Sequence, residues 1–312
     1  MWPEPGCRPR LRSVRSRRPT SLGSDRRLTL YLVQLCNGVG IGMIYFLLAV
    51  GLSIIFGIMN FVNFAHGAFY LLGAYLCYAI AGVTGNFWIA LVLAPILVGC
   101  GGWLGERYFL NRLYRAPHMF QILVTLGLAL VIQEVVVIIW GPVGKHIAAP
   151  ELLRGVLFLG AFAYPKYRLF VIGFSALLAL VLWLFLERTR FGAILRAGTE
   201  STEMVSLLGI DVFRIFSLTF ALGAWLAGLA GVLAAPIRGA EPFMGPDALA
   251  IAFVVVVIGG MGSFTGALAG GILIGIVQSV MSSLWSEGAN LMIYVAMALV
   301  ILLLPRGLLG RV

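Results

Sequence analysis

The sequence predicts an all-α polytopic membrane protein with about eight or nine hydrophobic segments, at least one of them discontinuous or re-entrant. Three observations lead there. Of the 312 residues 61% are hydrophobic and 11% charged, where a soluble domain carries about a quarter charged residues. The apolar residues gather in blocks of about twenty, enough to cross a bilayer core of roughly 30 Å as helix, and the alternating ten-residue strands of a membrane barrel are missing. Some blocks have the wrong length for an upright crossing, which points to breaks.

The chain opens on a basic tail, residues 1–27, read as disordered or as sequence upstream of the true start. It holds Arg8, Arg10, Arg12, Arg15, Arg17, Arg18, Arg26 and Arg27 against Glu4 and Asp25. Without these eight bases and two acids, the 22 basic and 12 acidic residues fall to 14 and 10, so the formal +10 becomes +4. Such a flank beside a membrane helix suits a lipid surface, and no nucleic-acid partner is expected. "SRRPTSL" weakly resembles a twin-arginine signal, but no short apolar region with a cleavage site follows. Cys7, Cys36, Cys77 and Cys100 form no C-x-x-C pair and read as apolar filler.

Residues 28–312 read as a single transmembrane domain, with apolar segments near 30–58, 65–82, 87–110, 119–140, 168–186, 212–235, 248–260, 265–285 and 288–304. Two polar stretches rich in arginine interrupt them, one with Arg107, Arg112 and Arg115, the other with Arg188, Arg190, Arg196 and Arg214. The positive-inside rule puts both in the cytoplasm. Two segments separate them, so the parity agrees and 141–167 is an outer loop. Four crossings from residue 212 then return Arg306 and Arg311 to the cytoplasm. Three crossings before Arg107 place the tail outside, against the same rule, unless an early segment re-enters without crossing. An outside-facing or artefactual tail is preferred.

Segment 30–58 would make a helix of about 43 Å at 1.5 Å per residue, which calls for strong tilt or a break near Gly51 or Gly57. Segment 248–260 spans only about 20 Å before "GGMGSFTG". Glycine-interrupted segments in both halves of a transporter point to discontinuous helices around a central site, and Phe64-Ala65-His66-Gly67 with Phe264-Thr265-Gly266 hints at an internal repeat. Small residues four apart, as in Gly38/Gly42, Ala227/Gly231, Gly266/Gly270 and Gly271/Gly275, allow close helix packing in lipid.

The chemistry of an enzyme is not in evidence. "GPVGKH" lacks Walker A spacing, "GGMGSFTG" has no βαβ context, and His66, His118 and His146 are scattered without metal-ligand neighbours. No catalytic residue, metal or cofactor is expected. What remains are polar residues inside apolar segments, which are costly there. Asn60, Asn63 and His66 recur at spacing three, and on a continuous helix they would share a face of about 120°. They either satisfy backbone groups at a helix break or line a substrate path. Gln133 and Glu134 are expected to face the bundle interior, in pairing or in a path. Glu241 and Asp247, beside Pro242 and Pro246, are read as solvated loop. In the cytoplasmic stretch 199–210, Thr199 or Ser201 can cap a short helix. Met204, Val205, Leu207 and Leu208 give it an apolar stripe, and Gly209 can end it. Such a helix lies on the lipid surface or docks into a partner's groove.

Four stretches resemble one known family: "NGVGIGMIYFLLAVGLSIIFGIMNFVNFAHGAFYLLGAY", "RTRFGAILRAGTESTEMVSLLGIDVFRIFSLTFALGAWLAGLAGVL", "FVVVVIGGMGSFTGALAGGILIGIVQSV" and "LPRGLLG". In this order they are similar to the LivH-type inner-membrane permeases of branched-chain amino-acid ABC transporters, from about Leu30 to Arg311. The resemblance implies an importer subunit of the bacterial inner (plasma) membrane working by alternating access. Its implied partners are a second permease subunit, two ATP-binding-cassette ATPase subunits that hydrolyse the ATP, and a periplasmic or lipid-anchored substrate-binding protein. Residues 187–214 would be the coupling loop, with Glu203, Leu207, Leu208 and Gly209 as ATPase contacts. The substrate path or helix breaks would involve Asn60, Asn63, His66, Gly67, Gln133, Glu134, Gly259, Gly260, Gly262 and Ser263, with half-helix ends near 60–66 and 259–265. Relatives often carry Pro where Thr265 stands, and the basic tail is atypical. The family also includes urea and short-amide permeases, so those small polar solutes stay open as substrates. The alternatives are a self-sufficient proton-coupled secondary transporter or channel using Glu134 or His66, and a membrane scaffold with no transport role.

Overall fold

Backbone groups in lipid must bond within their own segment, so each apolar block becomes a helix. The computed structural model describes residues 22–60, 62–114, 116–159, 162–305 and 307–309. The tail before Leu22, Arg115, Arg306 and Arg311 lie outside the described residues. The helices are α1 (Leu22–Met59), α2 (His66–Thr84), α3 (Phe87–Tyr108), α4 (His118–Trp140), α5 (Lys166–Arg188), α6 (Arg190–Glu200), α7 (Thr202–Leu207), α8 (Val212–Arg238), α9 (Met244–Gly259), α10 (Phe264–Leu284) and α11 (Ala289–Leu303). Seven (α1 to α5, α8 and α10) are long and apolar enough to cross a membrane, and α9 and α11 are shorter apolar helices. The outer loop adds a small antiparallel hairpin of β1 (Val156–Leu159) and β2 (Phe162–Pro165) to the all-α plan.

Packing pairs give the helix directions. Gly38 meets Ile276, Gly42 meets Gly271, and Phe46 meets Phe264 edge-on at 5.4 Å, so α1 and α10 are antiparallel. Val98 touches Gly228, Gly102 touches Ala224, and Ser217 bonds Glu106, so α3 and α8 are antiparallel. Phe64 bonds Thr125 and Tyr75 stacks obliquely on Trp140 at 5.5 Å, so α2 and α4 run together. The amino end of α1 therefore lies opposite the arginine-rich loops, as three crossings before Arg107 require, and the positive-inside rule makes the end with those loops the cytoplasmic one.

Of the two ways to fit the long first segment, strong tilt or a break near Gly51 or Gly57, the break is absent. Helix α1 runs unbroken for 38 residues, about 57 Å. Gly51 is there for proximity: a Cβ on it would lie 2.8 Å from the Gly223 carbonyl oxygen. The same logic explains the spaced glycines. A Cβ on Gly275 would stand 2.3 Å from the Gly38 oxygen, and one on Gly42 would stand 2.6 Å from the Gly271 oxygen. The small-residue stripes of α1 and α10 thus pair with each other inside this one chain. Helix α8 is buried on most of its length between α1, α2 and α3, whereas α4 sits at the periphery with few buried residues.

At the cytoplasmic end, the buried Glu106 carboxylate accepts from the Tyr114 and Ser217 hydroxyls, tying α3, the segment after it and α8 together. Burial, reinforced by the hydrogen bond and charge of Glu106, pushes the Tyr114 phenol far above its ordinary range, so it stays a donor. Glu106→Ala removes the acceptor of both hydroxyls and is expected to destabilise the fold by about 2 kcal/mol. An unchanged melting temperature of the purified variant in detergent would contradict that assignment.

Candidate functional site

The polar triad marks a real interruption, placed after α1. Asn60 ends the helix with its N–H bonded to the Phe56 oxygen at 2.9 Å. Its φ of 46° makes it the one non-glycine residue at positive φ among the described residues, a conformation Asn tolerates better than most. The chain then re-enters the bundle. Asn63 Oδ1 accepts from Ala65 N at 3.0 Å and its carbonyl accepts from His66 N at 3.2 Å, so one residue turns the chain into α2. Phe64 N donates to Thr125 Oγ1 on α4 at 3.2 Å. His66 Nε2 lies 3.0 Å from the Leu48 carbonyl oxygen of α1.

Gly67 packs on the amino end of α9 so closely that a Cβ would sit 2.1 Å from the Gly245 oxygen. The triad therefore does not share one helical face, because its members belong to a helix end, an irregular segment and a helix start. Asn63 and His66 are fully buried, and among the described residues Asn63 Nδ2 and His66 Nδ1 have no hydrogen-bond partner. Asn63→Asp keeps the Oδ1 acceptor that starts α2, while Asn63→Ala loses it at a cost of about 1 kcal/mol. The Ala variant is expected to melt several degrees lower in detergent; an unaltered melt would remove the capping role.

The second glycine break lies elsewhere. Helix α9 has 16 residues, about 24 Å, so its two ends meet different partners. At its carboxyl end Gly260 (φ 97°) and Gly262 (φ 76°) make the turn, and Ser263 Oγ caps α10 by accepting from Gly266 N at 3.1 Å. Gly259 abuts Gly266, and Gly262 approaches Gly57. Leu308 N and Leu309 N donate to the Ile258 and Gly259 carbonyls at 2.7 and 3.2 Å, closing off the helix end. The two expected breaks, 60–66 and 259–265, meet only at their cytoplasmic ends. Gly67 pairs with Gly245, while Asn60 and Gly262 share a cytoplasmic cavity of about 900 Å³ with His118, Gln121, Thr199 and Glu203.

Gln133 faces inward toward Phe64 and Gly245. Glu134 is exposed on the outward side of α4, contrary to the expectation that both face the interior. Consecutive helix residues point about 100° apart, and α4 touches the bundle along a narrow strip.

The stretch 187–214, expected as a coupling loop, holds the two short helices α6 and α7. Thr189 Oγ1 caps α6 by accepting from Gly192 N at 3.2 Å. Leu195 is buried, and Gly198 rests on the Ile58 side chain near the end of α1. Arg196 donates to the Leu186 oxygen and pairs with Glu187 at 3.4 Å. Ser201 Oγ caps α7 by accepting from Met204 N at 3.3 Å, whereas the Thr199 hydroxyl donates back to the Arg196 oxygen at 2.7 Å. The expected stripe divides. Val205 is buried, while Met204, Leu207 and Leu208 are 64%, 80% and 78% exposed. Gly209 stops α7 at φ 77°, and Glu203 is exposed beside them.

Sequence reasoning missed a polar network at the outer end of α8. Arg238 Nη2 donates to Tyr45 Oη at 2.7 Å and Gln278 Oε1 at 3.3 Å. Tyr45 Oη donates to Gln278 Oε1 at 2.6 Å, and Gln278 Nε2 donates to Asn290 Oδ1 at 3.0 Å. The guanidinium carbon stands 5.5 Å from the Tyr45 ring centroid, within cation–π range. An arginine closing an apolar span, with Glu241 and Asp247 just after it, was the available signal.

Residues 34–304 match the family model described as the branched-chain amino acid transport system permease component. Similar proteins include the high-affinity branched-chain amino acid transport system permease protein LivH of Escherichia coli K12, 32% identical over 90% of this chain and 96% of that one. BraD of Pseudomonas aeruginosa, a permease protein of the same description, is 32% identical over the same shares. LivM of Escherichia coli K12, a further permease protein of such a system, is 28% identical over 86% of this chain and 68% of its own. No solved structure matches the chain.

Proposed function

Since this chain belongs to the branched-chain amino acid transport system permease family, we propose that it imports branched-chain amino acids by alternating access, driven by ATPase chains docked on α7. It is a multi-pass permease component of the inner membrane. The observation that carries the proposal is the cytoplasmic knob of Met204, Leu207 and Leu208. Three large apolar side chains, two on the six-residue helix and one on the residue that follows it, are exposed together and suit a groove in a partner protein. A push on α7 passes to α6, and through Gly198 on Ile58 to the end of α1. That end borders the cytoplasmic cavity shared by Asn60, Glu203 and Gly262. In this reading the buried Asn63 and His66 brace the re-entrant segment, and Gly259, Gly260, Gly262 and Ser263 form the turn that the motion displaces. A substrate-binding protein delivers cargo to the opposite face.

The exposed side of α4 supports a second permease subunit as neighbour. A carboxylate in a lipid-facing position costs about 2.5–3.5 kcal/mol on insertion scales, so Glu134 calls for a protein cover. Likeness to LivM, a permease protein of such a system, supports a neighbour of related fold. The small polar solutes urea and short amides remain the competing cargo. Purification of the tagged chain from membranes tests the assembly. Recovery of two ATPase chains and a second permease is expected; a lone chain that moves solute under a proton gradient would favour the secondary-transporter alternative.

A further inference from the structure

Beneath Arg238, at the outer end of the bundle, is a cavity of about 230 Å³, smaller than the roughly 300–1,000 Å³ of drug-sized pockets. Tyr45, Tyr70, Arg238, Glu241, Asp247 and Ile251 are among the residues lining it. The two tyrosines are buried, while Arg238, Glu241 and Asp247 are reachable by solvent. Arg238 is held in place from one side only, by Tyr45 and Gln278 through Nη2. Among the described residues, neither Glu241 nor Asp247 has a side-chain hydrogen bond or an ion pair within 4.0 Å, although the Asp247 charge acts on Arg238. A fixed guanidinium, two carboxylates with no hydrogen-bond partner among the described residues and an apolar wall therefore converge on one small space.

We propose that this cavity is the outer substrate site of the permease and takes a zwitterionic amino acid with an apolar side chain. The assignment rests on the transport reading above. Arg238 holds the α-carboxylate through its remaining N–H groups, a geometry that planar guanidinium matches well. Asp247, with Glu241 at the rim, receives the α-ammonium. Ile251, Leu48 and Ala248 receive the aliphatic side chain. An uncharged solute such as urea leaves these charges uncompensated, so the site discriminates against it.

The test is direct binding of radiolabelled L-leucine to the full permease–ATPase complex in nanodiscs, with no binding protein present. Leucine uptake with the binding protein is measured in parallel. Asp247 makes no contact that the fold needs, so Asp247→Asn is expected to preserve assembly while weakening leucine binding at least about tenfold, the worth of one charge-assisted hydrogen bond. Arg238→Lys is expected to weaken it comparably. Isocaproate, which lacks the ammonium, should compete poorly against wild type and relatively better against Asp247→Asn. Wild-type leucine binding by Asp247→Asn, or equal competition by isocaproate and leucine against wild type, overturns the assignment. So does a wild-type complex that takes up leucine yet binds none without its binding protein. If the wild-type complex takes up no leucine at all, the transport reading itself falls, and this site with it.

Discussion

Leu207→Asp combined with Leu208→Asp is expected to abolish ATP-driven uptake while the protein remains folded and inserted. Both side chains are about four-fifths exposed, so replacing them removes no internal packing. If they fill an ATPase groove, each is worth about 2 kcal/mol as a buried apolar anchor, and together they would weaken docking roughly a thousandfold. The ATPase chains should then no longer co-purify, and their hydrolysis should proceed without transport. Val205 provides the contrast: it is buried, so Val205→Asp should unfold the loop itself. Gly209→Arg acts at the same place, because a side chain at φ 77° strains the stop of α7. Uptake at the wild-type rate by the double variant would remove α7 from the docking surface.

The second large effect lies between α1 and α10. Gly275→Leu introduces a Cβ 2.3 Å from the Gly38 oxygen and 2.4 Å from the Gly42 nitrogen, against backbone that cannot swing aside. The two helices must separate along the stripe that holds them, at a cost of about 3 kcal/mol or more. The expected result is loss of monodisperse protein in detergent. Gly101→Ala in α3 is the control, since nothing lies within 4 Å of its added carbon. It should be neutral or stabilising by about 0.5–1 kcal/mol, because alanine favours a helix interior. A well-folded Gly275→Leu protein would show that the glycine stripe is dispensable.

Much of this architecture could be read from residues alone. Nine apolar blocks became the nine long or short apolar helices among the described residues, and the arginine positions assign the sides through the positive-inside rule. The spaced glycines of α1 and α10 announced close packing, but not that they would pair with each other. The break at Asn60 was legible as polar residues in apolar sequence. Its exact form was not, since a helix of unusual length can tilt instead of breaking, and α1 does not break at Gly51. Glu134 was misplaced because adjacent Gln133 and Glu134 are equivalent in composition, and only the packing of α4 on α2 decides which one turns inward. The same limit hid Arg238. Its partners Tyr45, Gln278 and Asn290 come from α1, α10 and α11, and no local spacing connects them. The stretch 199–210 was legible as an amphipathic segment, yet its division at Ser201 depended on which of two hydroxyls faced the first turn of α7.

The central claim is that this chain is a transport component whose work is driven by ATPases acting through α7. The most direct measurement is radiolabelled leucine uptake into proteoliposomes holding the purified complex, with binding protein added outside, at the outer faces, and ATP enclosed inside, at the cytoplasmic faces. The account predicts uptake that requires ATP and the binding protein, is indifferent to a proton gradient, and is lost in the Leu207→Asp, Leu208→Asp variant. Uptake by this chain alone, driven by a proton gradient and untouched by ATP, would contradict it.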